Sequence, residues 1–227
     1  MPKIEIVCLA NSKKLQGRCL AGLRTDGQGW IRPVAAGSDG TLHPIHYNLQ
    51  DGSEPCLLDL ISVGLSRQQP EPHQPENWLV DGSPWQLIAR PAPSAVLQAL
   101  NPPPVIGPGL FGNFGDRINY ATFALVPSAS SLAVVTPENL QWNIRTSYSG
   151  NRQIKANFTL LGSFYSLSVT DPVWVQRLDH LPIGLHPVAA ARLQAGQYPM
   201  FILSLGEPTP WDNCCYKLVA GVLLANR

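Results

Sequence analysis

Three stretches of this chain gather residue types that can hold an anion or stack on a flat ring. The first is CLANSKKLQGRCLAGLRTDGQGWIRPV, Cys8 to Val34. From Lys3 to Arg32 six cations stand against two acids, in a chain whose formal net charge is only +1. Asn11, Ser12, Lys13 and Lys14 fall in a polar loop after an apolar run and offer phosphate-binding donors. Arg18 alternates with Cys19 and shares a face with Leu20 and Gly22. Trp30 and Arg32 are two residues apart, so in a strand their side chains lie on one face. A ring beside a guanidinium is a platform for a nucleobase. The rival reading is a solvated sheet face over a core tryptophan.

The second stretch is Trp142 to Asn157. Arg145, Arg152 and Lys155 accompany Trp142, Tyr148 and Asn157. Between Arg117 and Lys155 four cations face one acid. Trp142 has the parity of Ile144 and Tyr148, while Arg145 points the other way; an ordinary amphipathic hairpin would read the same. The third is Gln74-Pro75-Glu76-Asn77-Trp78. Its amides could read a base edge, or its proline and tryptophan could fix a loop over a core.

Other chemistry finds little support. Asp171, followed by Pro172, reads as a helix N-cap. Glu207, after Gly206 at a strand end, suits a turn or a partner for Lys217. A nucleotide-acting enzyme built on Asp171, Glu207 or His186 is a further alternative, but no P-loop, G-x-S-x-G, H-E-x-x-H or dinucleotide fingerprint occurs. His43-x-x-His46 alone completes no metal site. The five cysteines are irregularly spaced and include the vicinal Cys214–Cys215, so they read as reduced thiols of a cytoplasmic protein. No signal peptide and no apolar run of ~20 residues is evident, which argues against a membrane partner. No cofactor is expected. Charged residues are 14% of the chain, so any anion site must be a local patch rather than a global field.

Elements must position these residues. Proline and glycine make up 41 of 227 residues and the apolar runs are short, which predicts strands joined by tight turns. Strands are expected over Lys3–Ala10, Arg18–Arg24, Trp30–Val34 and Leu57–Leu65, the last interrupted by Asp59. Glu76–Val80 and Trp85–Ala89 read as a short hairpin, and Ser94–Leu100 as a helix capped by Ser94. Later strands are expected over Tyr120–Val126, Leu132–Val135, Leu140–Tyr148, Arg152–Leu161, Phe164–Val169, Met200–Leu205 and Tyr216–Ala225. Asn101–Gly115 is rich in proline and glycine and lacks charge, but its Leu110, Phe111 and Phe114 argue that it packs down. The expectation is a mainly β chain of two five-stranded OB-like barrels packed together, residues 1–100 and 117–227, joined by 101–116.

CLANSKKLQGRCLAG…GWIRPV, the later QPENW, and the closing LSVTDPVW and SLGEP…YKLVAG together resemble a bacterial family, the dual OB-containing domain. The likeness runs from Ile4 to Ala225. It implies two OB-like barrels with a suggested role in binding nucleic acid or nucleotides. Trp211-Asp212-Asn213 with Cys214–Cys215 departs from the pattern, where a tighter glycine turn is expected.

The resulting expectation is a non-catalytic protein that binds single-stranded nucleic acid or a nucleotide-like ligand. The binding residues would be Asn11, Ser12, Lys13, Lys14, Arg18, Trp30 and Arg32 in the first barrel, and Trp142, Arg145, Arg152 and Lys155 in the second. A protein–protein adaptor is the alternative outside nucleic-acid binding.

Overall fold

The run KIEIVCLA extends further than its apolar residues alone require: β1 covers Lys3–Lys14, and the hydroxyl and lysine residues expected in a loop belong to the strand. It pairs with β2 (Gly17–Arg24) in a hairpin whose register shifts between Cys8 and Ala10. A computed structural model describes residues 3–37, 39–105 and 108–226, and the chain divides into two units, Met1–Pro103 and Pro104–Arg227. Ile106 and Gly107, in the expected connection, lie outside the described residues.

In the first unit β3 (Trp30–Val34) follows β2 through the Asp-Gly turn. The Arg32 amide donates to the Glu76 carbonyl at 3.0 Å, toward β5 (Asn77–Val80). Pro33 therefore turns its donorless nitrogen to the side where pairing with β2 has ended, and the strand tolerates it. A short helix, α1 (Pro44–Tyr47), separates β3 from β4 (Leu60–Gln68). Asp59 sits just before β4, its carboxylate accepting from the Cys56 amide at 2.9 Å and from Arg90 at 3.2 Å. β3 and β5 are parallel, β5 and β4 antiparallel, and β4 returns to β1. The ring β1-β2-β3-β5-β4-β1 is a closed five-stranded barrel of OB order.

The expected hairpin of Glu76–Val80 and Trp85–Ala89 does not form. β5 and β6 (Gln86–Ala89) both run antiparallel to β4, Leu65 facing Val80 and Ser62 facing Gln86. They are one interrupted run. The interruption crosses close over β4 because Gly64 has no side chain: a Cβ there would meet the Ser83 hydroxyl at 2.0 Å. The next helix, α2, is Pro93–Ala99, and its start is set by Pro93 at the first position, not by a Ser94 cap.

The second unit begins within the Pro/Gly-rich segment. Leu110 is fully buried in the second core, with Val105 and Phe111 packed against it. Phe111 and Gly112 have φ of 54° and 75° between Leu110 and Asn113, the signs a type I′ turn requires. After β7 (Arg117–Asn119) the expected strand at Tyr120 is a helix, α3 (Tyr120–Leu125). The Asn119 side chain caps it by accepting from the Ala121 amide at 2.9 Å.

β8 (Leu132–Val135) and β9 (Glu138–Thr146) are separated only by Thr136 and Pro137. β10 (Arg152–Leu160) and β11 (Ser163–Val169) complete a meander. Asp171 then caps α4 (Pro172–Leu178), accepting from the amides of Val173 at 2.9 Å and Trp174 at 3.2 Å. β12 (Gly184–Pro187) adds to the edge of β9 and leads through a 3₁₀ turn, Val188–Ala191, to β13 (Gln197–Pro208) and β14 (Cys214–Asn226). β11 and β14 are parallel, β13 lies between β14 and β8, and the β8–β9 chain carries the ring back to its start. This is again the OB order 1-2-3-5-4 with a helix between the third and fourth strands. Its core holds Trp142, Phe158, Tyr165 and Phe201, with Phe158 stacked on Tyr165 at 5.7 Å and edge-on to Phe201 at 5.4 Å.

Candidate nucleic-acid interface

In the first barrel the expected binding residues do not assemble into a surface. Trp30 and Arg32 share a face as their spacing requires, but they are 7% and 2% exposed, which removes the stacking platform. The physical reason is that the outer side of this sheet is itself packed. Ala21, Leu23 and Val34 on the same strands are buried as well. Arg32 donates to the Cys19 sulfur at 3.1 Å and lies 3.9 Å from the buried Glu76 carboxylate. GWIRP and QPENW thus meet in a buried ion pair flanked by Gln74 and Asn77, whose side chains bond each other at 3.2 Å. QPENW is structural here, since a buried charge persists only with such partners.

The hairpin cations other than Lys13 are similarly engaged. Arg18 lies 3.0 Å from Glu54, whose carboxylate also accepts from Tyr47 at 3.1 Å. The Asn11 amide donates to the Pro55 carbonyl at 2.9 Å, the buried Ser12 hydroxyl to Cys19 at 3.3 Å, and Lys14 to the Asp39 carbonyl. Lys13 is exposed at the strand end.

In the second barrel two further expectations need correction. Trp142 is fully buried, its ring centroid 5.2 Å from that of Trp174 and 6.0 Å from that of Phe201. Its shared parity with Ile144 places it inside, where it cannot stack on a ligand. Arg152 belongs to the C-terminal end of α4: it donates to the carbonyls of Leu178, Asp179 and Leu181 and lies 3.2 Å from the Asp179 carboxylate. A cation there satisfies orphan carbonyls and complements the helix dipole.

Arg145 and Lys155 have the opposite parity, and the strand register assembles a surface around them. Leu185 of β12 faces Asn143 of β9, Asn143 faces Lys155 of β10, Lys155 faces Ser168 of β11, and Ser168 faces Leu218 of β14. A second row runs Pro187, Gln141, Asn157, Ser166. Arg145 faces Gln153, and Phe164 faces Thr159. The outer side of β9–β10–β11 is therefore lined by amides, hydroxyls and two cations. Several groups are pre-set: Ser166 donates to Asn157 at 2.7 Å, Gln153 to the Ser168 hydroxyl at 3.0 Å, and Lys155 to the Ser166 carbonyl at 3.3 Å. Partial burial pushes the Lys155 amine below its ordinary range; the Asp116 carboxylate, 4.0 Å away, opposes this, and Arg145 and Arg117 add to it.

Aromatic rings stand at the two loops beside this face. Tyr148 is fully exposed in the loop between β9 and β10, and Trp211 is 74% exposed in the loop between β13 and β14. The Trp211 loop is held in shape. Asp212 accepts from the Cys214 amide at 3.1 Å, from the Thr209 hydroxyl, and from the Tyr216 hydroxyl at 2.8 Å. Asn213, at φ 51°, supplies the left-handed turn for which a glycine was expected. Arg117 donates to the Tyr216 hydroxyl at 2.8 Å and lies 5.4 Å over its ring. Phe164 on β11 is also exposed. Trp211, Phe164, Gln141, Asn143 and Leu185 were not among the binding residues expected from the sequence. Outward parity relative to Trp142 and Ile144 was the available signal for Gln141 and Asn143.

Among the described residues no group of three His, Cys, Asp or Glu side chains is placed to hold a metal ion. His43 and His46 close on each other locally, the His43 amide donating to the His46 ring at 3.0 Å. No described helix is long and apolar enough to cross a membrane.

No curated protein and no solved structure matches the chain significantly. One family's sequence model does match, over residues 4–222, nearly the whole length and both barrels. The chain belongs to the family described as the dual OB-containing domain.

Proposed function

We propose that the outer face of β9–β10–β11 binds single-stranded nucleic acid or a nucleotide-like ligand without catalysis. The observation that carries this reading is the coincidence of three parts on one barrel: the Asn143–Lys155–Ser168 row, Tyr148 in the first-to-second-strand loop, and Trp211 in the fourth-to-fifth-strand loop. The strand 2–3 face and these two loops are where OB barrels hold oligonucleotides. Arg145 and Lys155 meet phosphates, amides meet base edges, and the loop aromatics stack on bases.

The number of cations bounds the salt dependence. Arg145 and Lys155 give one or two phosphate contacts, so log Kd against log salt on single strands has a slope between about 0.7 and 1.4. Titration of a dye-labelled short single-stranded oligonucleotide, followed by fluorescence anisotropy, tests it. Of the six tryptophans Trp30, Trp85, Trp142 and Trp174 are buried, Trp78 is half-buried and Trp211 is open, so intrinsic quenching that disappears in Trp211→Ala reports on the proposed face. Trp211→Ala should weaken binding by roughly 5- to 150-fold, the cost of one lost base stack. No binding at low salt, or affinity unchanged in both Trp211→Ala and Arg145→Ala, overturns the reading.

A further inference from the structure

Lys155 occupies the middle of the first row of the proposed face, and a carboxylate of the same barrel reaches it from the segment that precedes β7. The Asp116 oxygen lies 4.0 Å from the Lys155 amine, and the Asp116 side chain is 42% exposed. That placement is fixed by its surroundings. The Asp116 carbonyl accepts from the Lys217 amide at 2.9 Å. The buried Lys217 amine donates to the Asn113 carbonyl at 2.6 Å, and the Asn113 side chain accepts from the Gly115 amide at 2.6 Å. The Leu110 amide donates to the Tyr165 hydroxyl at 2.9 Å. Gly109, at φ 72°, lets the segment fold back tightly; a Cβ there would meet the Asn113 carbonyl at 2.7 Å. The carboxylate is thus presented to Lys155 by a braced segment rather than by a wandering side chain. It is also too exposed to serve as a buried structural partner. The neighbouring Arg117 is matched in the same way, 3.7 Å from Asp212.

We propose that Asp116 is an internal anion that competes with ligand phosphate for Lys155. The inference rests on the binding reading above and concerns its selectivity. A lone phosphate competes poorly with a tethered carboxylate beside an amine whose side chain is only 16% exposed. A strand that also engages Arg145 and stacks on Trp211 competes better, so the face discriminates against small free anions and favours ligands with several linked contacts.

The test compares wild type, Asp116→Asn and Asp116→Ser, each also in a Lys155→Ala background, for binding a short single-stranded oligonucleotide across a salt series. Thermal melting confirms folding, and the serine variant stands in if the asparagine variant melts early. Freed of its partner, Lys155 meets phosphate without first giving up the Asp116 contact: affinity should rise by up to about fivefold, the scale of a surface ion pair, and the salt slope should steepen by up to about 0.7, because no displaced carboxylate takes up a cation. Both gains should vanish with Lys155→Ala. Oligonucleotide binding that Asp116→Asn leaves unchanged in affinity and slope, or a gain that persists without Lys155, overturns the competitor and leaves the binding reading standing. Absence of binding in wild type and in both Asp116 variants overturns both.

Discussion

Lys217 is an amine held almost wholly inside a β-barrel, 1% exposed, with the Asn113 carbonyl at 2.6 Å and the Tyr165 ring 5.4 Å away. Burial lowers its pKa from 10.5 to about 8, only partly offset by the Asp116 carboxylate. A lysine whose folded pKa lies below its unfolded value binds protons more weakly when folded. Between those two values the unfolded chain carries more protons, so stability rises with pH. The charged amine costs on the order of 3 kcal/mol at pH 7, since each pKa unit is about 1.4 kcal/mol. The cost stays full below pH about 8 and fades as pH climbs toward 10.5. Between pH 7 and 9 the fold should gain roughly 1 kcal/mol from this group alone. Buried Cys8 and Cys215 act oppositely: burial raises their thiol pKa values, so they withdraw stability as pH passes 9. Urea unfolding of wild type and Lys217→Met at pH 7, 8 and 9 separates the two, because the thiols are common to both proteins. The wild-type minus Met difference should move in favour of wild type by roughly 1 kcal/mol over that window. A difference that stays flat, or moves toward the Met variant, refutes the placement of a charged amine in this core.

Two other outcomes follow from the corrected residue roles. Arg152→Ala should lower stability by about 1–2 kcal/mol in urea unfolding, through loss of the carbonyls it holds at the end of α4. The same variant should leave oligonucleotide affinity and salt slope unchanged, which a phosphate-binding arginine would not. Trp142→Ala should cost about 3–5 kcal/mol, because it empties a site packed against Trp174 and Phe201; a loss under 1 kcal/mol would contradict its core position.

The parity of the strands was legible in the sequence; which side faced inward was legible only in part. Ile144 and Ile154 announce the inner face of the second barrel, and they place Trp142 and Arg152 on it. Reading Trp142 as a stacking residue went against its own alternation. Arg145 and Lys155 fall outward by the same rule. In the first barrel alternation could not help, because Trp30, Arg32, Ala21 and Leu23 line an outer side that is also buried. A strand packed on both faces loses the polar alternation that marks a solvated one. The Asp171 cap was readable because an N-cap is a local event. The helix at Tyr120 was not: Tyr-Ala-Thr-Phe-Ala-Leu suits either state, and the Asn119 cap decides it. The parallel pairing of β3 with β5, far apart in sequence, leaves no local trace. The Trp211 loop was read for its departure from an expected glycine turn, and its exposed ring depends on three bonds to Asp212 that sequence spacing alone does not reveal.

The anchoring of Leu110 changes where the second barrel can be cut free. The apparent starting point for an isolated fragment is Arg117, where regular strand structure resumes. A fragment trimmed there would lose a fully buried side chain of its core, the carbonyl that receives the Lys217 amine, and the donor to the Tyr165 hydroxyl. The stretch from Gly109 to Gly115 is part of the barrel that follows it, and severing it should leave the buried Lys217 ammonium without its carbonyl partner.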